Sequence, residues 1–321
     1  MLSSILLVIC FTFSSCANPA GSDQAVEIAW QKINAFESQT QFLTEGPDGE
    51  LYAAFSRHGI HRSTDNGNTW TKILWPVSGS IAINTEGDIF IYGHDIYRSL
   101  DDGKSWTELT ISDSPHVSIQ SMAINSKGHV FASGYRGPLY HSVDNGDSWT
   151  NISLGSSVSR VFINNKNHIF AKTSAGFSRL IYEGDTWTEN ILLEGRVRLL
   201  GFNPDYHIFV VTDGDLIIRS IDNGNTWELL GSLPVPPEDT AFNHMAINSR
   251  NHIFVSTKEI PVFDGIDQGQ GVFRSTDGAE SWTYIGPDST SIHNILFIDS
   301  KDYLFASTGA KLYRSKEPTN Y

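Results

Sequence analysis

The chain has 321 residues, of which 40% are hydrophobic and 18% are charged, a composition typical of a soluble globular protein. Its formal net charge is −14, which opposes binding to nucleic acid, because that binding depends on Lys and Arg side chains neutralising phosphates. The same charge disfavours an anionic membrane surface as a partner, apart from any lipid anchor.

The N-terminus predicts export. Residues 2–13 form an apolar stretch that is shorter than the about 20 residues needed to span a bilayer and is typical of a signal peptide. We assign residues 1–15 to the signal peptide and residues 16–26 to a flexible tether. The string FSSC, which ends at Cys16, resembles a bacterial lipobox, so we expect Cys16 to be lipidated and to anchor the protein in the bacterial cell envelope. Cleavage after Ala17 is the alternative, and it would give a secreted protein.

Residues 27–321 are expected to form one domain that is built from repeats. An octapeptide of the form Ser-x-Asp-x-Gly-x-Thr/Ser-Trp occurs in full four times, ending at Trp70, Trp106, Trp149 and Trp227. A weaker copy ends at Trp187 and has Tyr182 in place of the Asp, and another ends at Trp282 and has its Gly one position early. Repetition about every 40 residues indicates an array of identical supersecondary units.

Each unit also contains a short apolar run, a polar turn and a second apolar run. Seven such pairs begin at Phe42, Ile81, Met122, Val161, Leu200, Met245 and Leu296. Runs rich in Ile, Val and Phe that are bounded by Asn, Gly, Lys and Asp predict β-strands joined by tight turns. A third strand before the octapeptide and a fourth after it complete the unit. Seven units of four antiparallel strands predict an all-β fold, the seven-bladed β-propeller.

The two ends of the chain are expected to meet in the last blade. The seventh unit stops after its third strand, at Lys316, whereas Trp30 lies near the N-terminus about one repeat before Trp70. We predict that the strand around Trp30 completes the last blade beside the strand at Leu312. This closure would remove sheet edges that invite aggregation.

The octapeptide is interpreted as a structural turn. Its Asp can accept hydrogen bonds from nearby amides, its Gly can take a positive φ, and its Trp covers the hairpin. The residues assigned to this role are Asp65, Gly67, Trp70, Asp101, Gly103, Trp106, Asp144, Gly146, Trp149, Asp222, Gly224, Trp227, Asp277 and Trp282. No metal and no cofactor is expected, because the recurring histidines occupy one repeat position and are spread around the ring; they are His129, His168, His207 and His252.

Function is expected on the opposite face, where the second-to-third-strand loops and the connections between blades surround the channel mouth. Two long connections, residues 231–244 and 258–271, suggest a recognition rim over blades 5 and 6, although loop growth without function would give the same pattern. The candidate binding residues are Trp75, His94, Asp95, Tyr135, Arg136, Arg196, Arg198, Glu238 and Asp239. The same face also carries Arg57, His58, His116, Arg160 and His293.

Carboxylates on this loop face allow a catalytic interpretation. Two carboxyl groups on opposite sides of a sugar are sufficient for glycoside hydrolysis. The candidate catalytic residues are Asp213, Asp215, Asp264 and Asp267. Solvated loop carboxylates would give the same pattern, so the sequence leaves both interpretations open.

The octapeptide is similar to the Asp-box, or bacterial neuraminidase, repeat of sialidases, xyloglucanase-type glycosidases, sortilin-type receptors and photosystem assembly factors. This resemblance covers nearly all of residues 27–321 and implies a propeller. Sialidases carry a Phe/Tyr-Arg-Ile-Pro element, whereas the nearest string here, residues 259–261, lacks the arginine. Seven blades in one exported chain look more like the assembly factors, which bind a protein without catalysis, and the xyloglucanases, which grip a polysaccharide between two propellers. We therefore expect a monomeric, non-enzymatic propeller that binds a protein or glycan at its loop face, with a glycosidase as the alternative.

Overall fold

The computed structural model describes most of the chain from residue 28 onward. The described ranges are 28–33, 36–74, 79–111, 117–135, 137–164, 166–183, 186–233, 242–257, 271–287, 295–308 and 310–321. Within them, 28 β-strands form seven four-stranded antiparallel sheets, which confirms the predicted seven-bladed β-propeller. No helix in these ranges is long and apolar enough to cross a membrane.

The first four complete blades follow one another along the chain after strand β1 (Trp30–Lys32). Blade 1 contains β2 (Thr40–Glu45), β3 (Leu51–Phe55), β4 (Gly59–Ser63) and β5 (Thr71–Leu74). Blade 2 contains β6 (Ser80–Ile83), β7 (Ile89–Tyr92), β8 (Ile96–Ser99) and β9 (Thr107–Leu109). Blade 3 contains β10 (Ile119–Ile124), β11 (Val130–Gly134), β12 (Leu139–Ser142) and β13 (Thr150–Ile152). Blade 4 contains β14 (Val158–Ile163), β15 (Ile169–Thr173), β16 (Gly176–Glu183) and β17 (Thr186–Glu194).

The remaining three blades complete the ring. Blade 5 contains β18 (Val197–Phe202), β19 (Ile208–Thr212), β20 (Leu216–Ser220) and β21 (Glu228–Ser232). Blade 6 contains β22 (Phe242–Ile247), β23 (Ile253–Thr257), β24 (Val272–Ser275) and β25 (Thr283–Gly286). Blade 7 contains β26 (Leu296–Ile298), β27 (Leu304–Thr308) and β28 (Lys311–Ser315), and its fourth strand is β1.

The closure of the ring by the N-terminal strand is confirmed. Strand β1 pairs antiparallel with β28, with Trp30 opposite Ser315, and the backbone N–H of Ile33 donates to the Leu312 carbonyl over 2.9 Å. The Trp30 indole N–H donates to the Ile285 carbonyl of blade 6 over 2.6 Å. Both ends of the described chain are therefore fixed in one sheet.

The hydrophobic core lies between neighbouring blades. Six of the second strands carry a phenylalanine that is at most 1% exposed, namely Phe90, Phe131, Phe170, Phe209, Phe254 and Phe305. Phe131 of blade 3, for example, packs against Val158 and Val161 of blade 4. Burying a side chain of this size stabilises the fold by about 1.5–3 kcal/mol, so the interfaces between blades hold much of the stability.

The octapeptide forms a hydrogen-bonded turn between the third and fourth strands. In blade 3, the Ser142 hydroxyl donates to Asp144 Oδ1 over 2.7 Å and accepts the Gly146 N–H over 2.8 Å. Asp144 also accepts the backbone N–H of Ser148 over 2.8 Å, and Gly146 has a φ of 93°. The same bonds recur at Asp65, Asp101 and Asp222.

The two weaker copies of the octapeptide differ from each other in structure. In blade 6, Ala279 takes the place of Gly with a φ of 73°, and Asp277 still accepts the Ser281 N–H over 3.0 Å. In blade 4, Tyr182 occupies the Asp position, and the ladder of β16 and β17 instead runs on as a long hairpin to the pair Glu183 and Thr186. A tyrosine has no carboxylate to hold the turn, so blade 4 lacks it.

Arginines tie some of these turns to the preceding blade. The Arg98 guanidinium of blade 2 donates to the Asn145 carbonyl in the blade 3 turn over 2.6 Å. Arg179 of blade 4 reaches the Asn223 carbonyl of blade 5 over 3.2 Å, and Arg314 of blade 7 reaches the Asn66 carbonyl of blade 1 over 2.5 Å. These bonds fix the octapeptide turns against the neighbouring blades of the ring.

Candidate functional site

The channel mouth on the loop face is shaped by β-bulges. Among the described strands, five innermost strands shift register near this face, at 40/42, 119/121, 158/160, 197/199 and 242/244. A bulge inserts one extra residue and redirects the neighbouring side chains. Gln120, Ser159 and Arg198 lie at three of these bulges, and all three line the same cavity.

This cavity has a volume of about 470 Å³ and opens between blades 3 and 6. Its described lining residues are Gln120, Ser159, Arg160, Phe162, Lys172, Val197, Arg198, Leu200, His244 and Met245. They include three permanent or near-permanent cations and no carboxylate. The mouth is therefore locally positive in a protein whose formal net charge is −14.

Two of the cations face each other in one ladder. Arg160 of β14 is paired in register with Lys172 of β15. Like charges directly opposite each other destabilise a sheet, so this pair has no structural benefit of its own. Within the described residues, neither side-chain charge has a hydrogen-bonding or ion-pair partner. An anion that enters the cavity would relieve the repulsion, and the arrangement is thus suited to binding one.

No other described blade has two cations at this register. The equivalent pairs are Phe42–Ala54, Ser80–Tyr92, Ser121–Ser133, Leu199–Val211 and His244–Ser256. Because these positions are otherwise neutral, the repeat itself does not require a charge there. Blade 4 is the exception.

The pKa values of two lining groups are lowered by burial and by the neighbouring positive charges. Burial, followed by the charges of Arg160 and Arg196, lowers the pKa of the Lys172 ammonium, while Asp213 acts in the opposite direction. Burial, followed by the charge of Arg160, lowers the pKa of His244 to about 4, so this imidazole is neutral at pH 7. A neutral His244 can both donate and accept a hydrogen bond beside the cations.

The predicted carboxylate pair is only partly described, and its members have different surroundings. Asp215 is buried, at 3% exposure, and forms an ion pair with Arg198, while its second carboxylate oxygen is buried without a partner. Asp213 is exposed on the same loop. Asp264 and Asp267 lie outside the described residues.

The structure brings together some of the predicted binding residues and separates others. Arg198 lines the cavity, and Arg196 is close enough to affect Lys172. The other described candidates do not line the cavity: His94 and Asp95 contact each other over 3.1 Å in an exposed loop of blade 2, and Tyr135 is 60% exposed in blade 3. The candidates Trp75, Arg136, Glu238 and Asp239, most of the proposed rim and Cys16 lie outside the described residues.

Several lining residues were missed by the sequence reasoning. Lys172 sits near the end of a second strand, where the other blades have Ala, Tyr, Ser or Val, and this departure from the repeat was the available signal. Gln120, Ser159 and His244 become lining residues because of the bulges and the order of the blades, which no local motif encodes. Among the described residues, no group of three or more His, Cys, Asp or Glu side chains could hold a metal ion.

Comparisons with known proteins agree with the fold. Residues 76–200 match the family model described as the DUF6242 beta propeller domain. No curated protein matches the sequence. A solved structure of YCF48 bound to D1 peptide is similar at 16% identity with a TM-score of 0.68, covering 93% of this chain and 98% of that chain.

Two enzymes share the same architecture. The GH74 xyloglucanase from Xanthomonas campestris is 13% identical with a TM-score of 0.68, and the match covers 92% of this chain but 54% of the xyloglucanase. Virginiamycin B lyase from Staphylococcus aureus is also 13% identical with a TM-score of 0.68, covering 90% of this chain and 98% of the lyase. At these identities the likeness establishes the propeller fold, which hosts several unrelated activities.

Proposed function

We propose that this protein is an exported, lipid-anchored β-propeller of Asp-box repeats that binds a peptide or glycan partner at the channel mouth without catalysing a reaction. The observation that carries the proposal is the paired Arg160 and Lys172 in a cavity of about 470 Å³ that Arg198 also lines. Arg160 and Lys172, whose charges have no partner among the described residues, fit a carboxylate, which acidic peptides and acidic glycans both offer. The solved complex of YCF48 with D1 peptide is an example of peptide binding by a propeller of this fold.

The binding-only proposal is also supported by the surroundings of the candidate catalytic groups. Two-carboxylate hydrolysis requires two carboxyl groups across a substrate. The described lining of the cavity contains none, and the Asp215 carboxylate is engaged by Arg198. No described residue supports the glycosidase alternative to the same degree as these residues support binding.

Charge removal at the mouth tests the proposal. We expect Arg160→Gln and Lys172→Gln each to weaken binding of a fluorescein-labelled acidic decapeptide or an oligogalacturonate at least about tenfold, because a hydrogen bond to a charged group contributes about 1.5–3 kcal/mol. Fluorescence anisotropy with both probes measures the affinities, and the probe that binds more tightly identifies the source of the carboxylate.

The matched control is Lys104→Gln, which removes one positive charge, as each mouth variant does, at an exposed position away from the cavity. It should bind as the unaltered protein does. The proposal is wrong if neither probe binds, or if the control weakens binding as much as the mouth variants do. Hydrolysis of a sialoside or a xyloglucan oligosaccharide that is lost in Asp213→Asn would support the glycosidase instead.

The proposed anchor has its own test. In a bacterial host supplied with an alkyne-labelled fatty acid, we expect the protein to carry the label and to sediment with membranes, because acyl chains bind bilayers through about 0.8 kcal/mol per buried methylene. Cys16→Ser should be unlabelled and soluble. A mature protein that begins at Asn18 and lacks the label would show cleavage after Ala17 instead.

A further inference from the structure

A second cavity lies on the opposite face, between blades 3 and 4. It has a volume of about 560 Å³ and occupies the side of blade 4 where the hairpin of β16 and β17 runs on without the octapeptide turn. In blades with the turn, its glycine packs closely on the fourth strand of the preceding blade, as Gly146 does on Leu109 and Gly224 on Leu192. The cavity is thus located where a turn is missing. We call it the blade 3–4 groove.

The groove is lined by aromatic rings. Phe131 stacks on His141 with ring centroids 4.5 Å apart, and Trp187 stands edge-on to both rings at 5.6 and 5.4 Å. Tyr182 and Val143, at its rim, are 57% and 62% exposed. These rings offer an apolar surface that the turn covers in other blades.

Two polar side chains that line the groove, Asn125 and His141, each have an atom without a partner among the described residues. Asn125 is 8% exposed, and its side-chain oxygen accepts the backbone N–H groups of Lys127 and His129, each over 2.9 Å. Its Nδ2 has no acceptor within hydrogen-bond distance among the described residues. His141 Nε2 is buried without a partner. A buried polar atom of this kind is costly unless a ligand or water satisfies it.

The same asparagine in other blades has an acceptor for its Nδ2. Asn84 donates to Asp88 over 2.8 Å, Asn164 donates to Asn223 over 3.3 Å, and Asn203 donates to Asn251. In blade 6, Asn248 donates over 2.9 Å to the backbone carbonyl of Thr319. Asn125, whose Nδ2 has no acceptor among the described residues, therefore departs from a repeated pattern.

The junction of blades 6 and 7 shows which group accepts a hydrogen bond from this asparagine when the turn is missing. Blade 7 also lacks an octapeptide turn, because its fourth strand is β1. Residues 319–321 fill the position: Arg274 donates to the backbone oxygen of Tyr321 over 2.8 Å, and the Thr319 N–H donates to the Asp302 carbonyl over 2.8 Å. At this junction, a peptide segment replaces the missing turn.

The two junctions correspond residue by residue. The string MAINS occurs in both blades, at 122–126 and 245–249, so Asn125 corresponds to Asn248 and His141 to Arg274. The hydrogen bond next to this asparagine, which links the two neighbouring blades, is also repeated. Asn167 accepts the Ser126 N–H over 2.9 Å in blades 3 and 4, as Asp302 accepts the Ser249 N–H over 2.9 Å in blades 6 and 7.

We propose that the blade 3–4 groove binds an extended peptide segment of another protein, in the way that residues 319–321 occupy the junction of blades 6 and 7. A backbone carbonyl of the peptide accepts from Asn125 Nδ2, and a side chain of the peptide packs against Phe131, Tyr182 and Trp187. The charge of the groove agrees with this occupant. Its described lining carries Lys127 and Arg179 and no carboxylate, so it favours groups that accept hydrogen bonds.

The probe is a fluorescein-labelled peptide amide with the sequence Lys-Glu-Pro-Thr-Asn-Tyr, which is that of residues 316–321. We expect saturable binding by anisotropy. Asn125→Asp removes the donor but keeps the accepting oxygen, and Asp299 shows that this turn accommodates an aspartate, because it accepts the Lys301 and Tyr303 N–H groups over 3.0 and 2.8 Å. Binding should weaken at least tenfold in this variant.

A second variant closes the groove. Leu180→Ser together with Tyr182→Asp restores the full octapeptide pattern in blade 4 and should also weaken binding at least tenfold. The control Asn203→Asp makes the same exchange outside the groove and should bind within about twofold of the unaltered protein. Circular dichroism verifies that each variant is folded.

Three binding results would overturn the inference. The first is the absence of saturable binding up to about 1 mM peptide, the weak end of the affinity scale. The second is equal affinity of the peptide for the unaltered protein and for Asn125→Asp. The third is binding of neutral oligosaccharides, but not of the peptide, that changes in Asn125→Asp. Replacing the peptide's tyrosine with benzoylphenylalanine and cross-linking should label residues in 125–143 or 179–187, and labelling elsewhere would also contradict the proposal.

Discussion

Replacing Ile28 and Ile33 together with alanine should lower the free energy of unfolding by about 4–10 kcal/mol, since each buried Ile→Ala exchange costs about 2–5 kcal/mol. Ile28 is 3% exposed and packs with Phe254 and Leu304, whereas Ile33 is 5% exposed and packs with Phe55. The two side chains lie in different clusters, so their effects should add. Both hold the strand that closes the ring.

Urea titration followed by tryptophan fluorescence measures this loss. The control Gln31→Ala/Lys32→Ala changes two exposed side chains of the same strand and should shift the unfolding free energy by less than about 1 kcal/mol. If the isoleucine double variant were as stable as the control, the N-terminal strand would not contribute to closure.

The protein is expected to lose stability in two stages as the pH falls. The first stage belongs to histidines. Burial, followed by His129, lowers the pKa of His141 to about 4, and burial, followed by Arg160, lowers that of His244 to about 4. An unfolded histidine titrates near about 6.5. The unfolded chain therefore binds protons first, and folding stability falls between about pH 6.5 and pH 4.

The second stage belongs to the octapeptide carboxylates. Hydrogen bonds from Ser105 lower the pKa of Asp101 to about 2, those from Ser148 do the same for Asp144, and those from Thr226 for Asp222. A depressed folded pKa gives stability that is fully present above the unfolded value of about 3.9 and is lost as the pH approaches 2. Burial raises the pKa of Asp299 to about 6, so this one group acts in the opposite direction between about pH 6 and pH 4.

Melting temperatures at pH 7, 5 and 3 check both stages. His141→Phe should flatten the upper stage and Asp144→Asn the lower one, because each removes a group whose pKa differs between the folded and unfolded states. His94→Gln, at a loop position whose side chain is 84% exposed, serves as the control. A melting temperature that stays constant from pH 7 to pH 3 would contradict this account.

The sequence was sufficient for the architecture because the repeat encodes it. The period of the Trp-ended octapeptide, the paired apolar runs and the isolated strand around Trp30 predicted seven blades and their closure. The structures of the two weaker octapeptide copies were harder to infer. Ala279 accepts a positive φ and keeps its turn, whereas Tyr182 loses it, and the difference depends on whether a carboxylate remains to accept the amide four residues on.

The channel mouth could be predicted only in part. Arg196 and Arg198 were selected from the loops, but Lys172 belongs to a strand and becomes a lining residue because the bulge in β14 sets it opposite Arg160. Register and bulges depend on the pairing of whole strands, which a single sequence does not display. Comparing each repeat with the others, position by position, would have marked Lys172, whereas blades 2, 4, 5 and 6 share the asparagine of Asn125, and its missing acceptor is seen only in the structure.

The use of β1 as the outer strand of blade 7 also determines when the ring of blades can finish folding. Strand β28 ends at Ser315, almost 300 residues after the strand that it pairs with, so the final sheet cannot assemble until nearly all of the chain is available. Contacts this distant in sequence are slow to form. Until then, blade 7 is incomplete, and blades 6 and 1 lack the neighbour that packs against both of them in the closed ring.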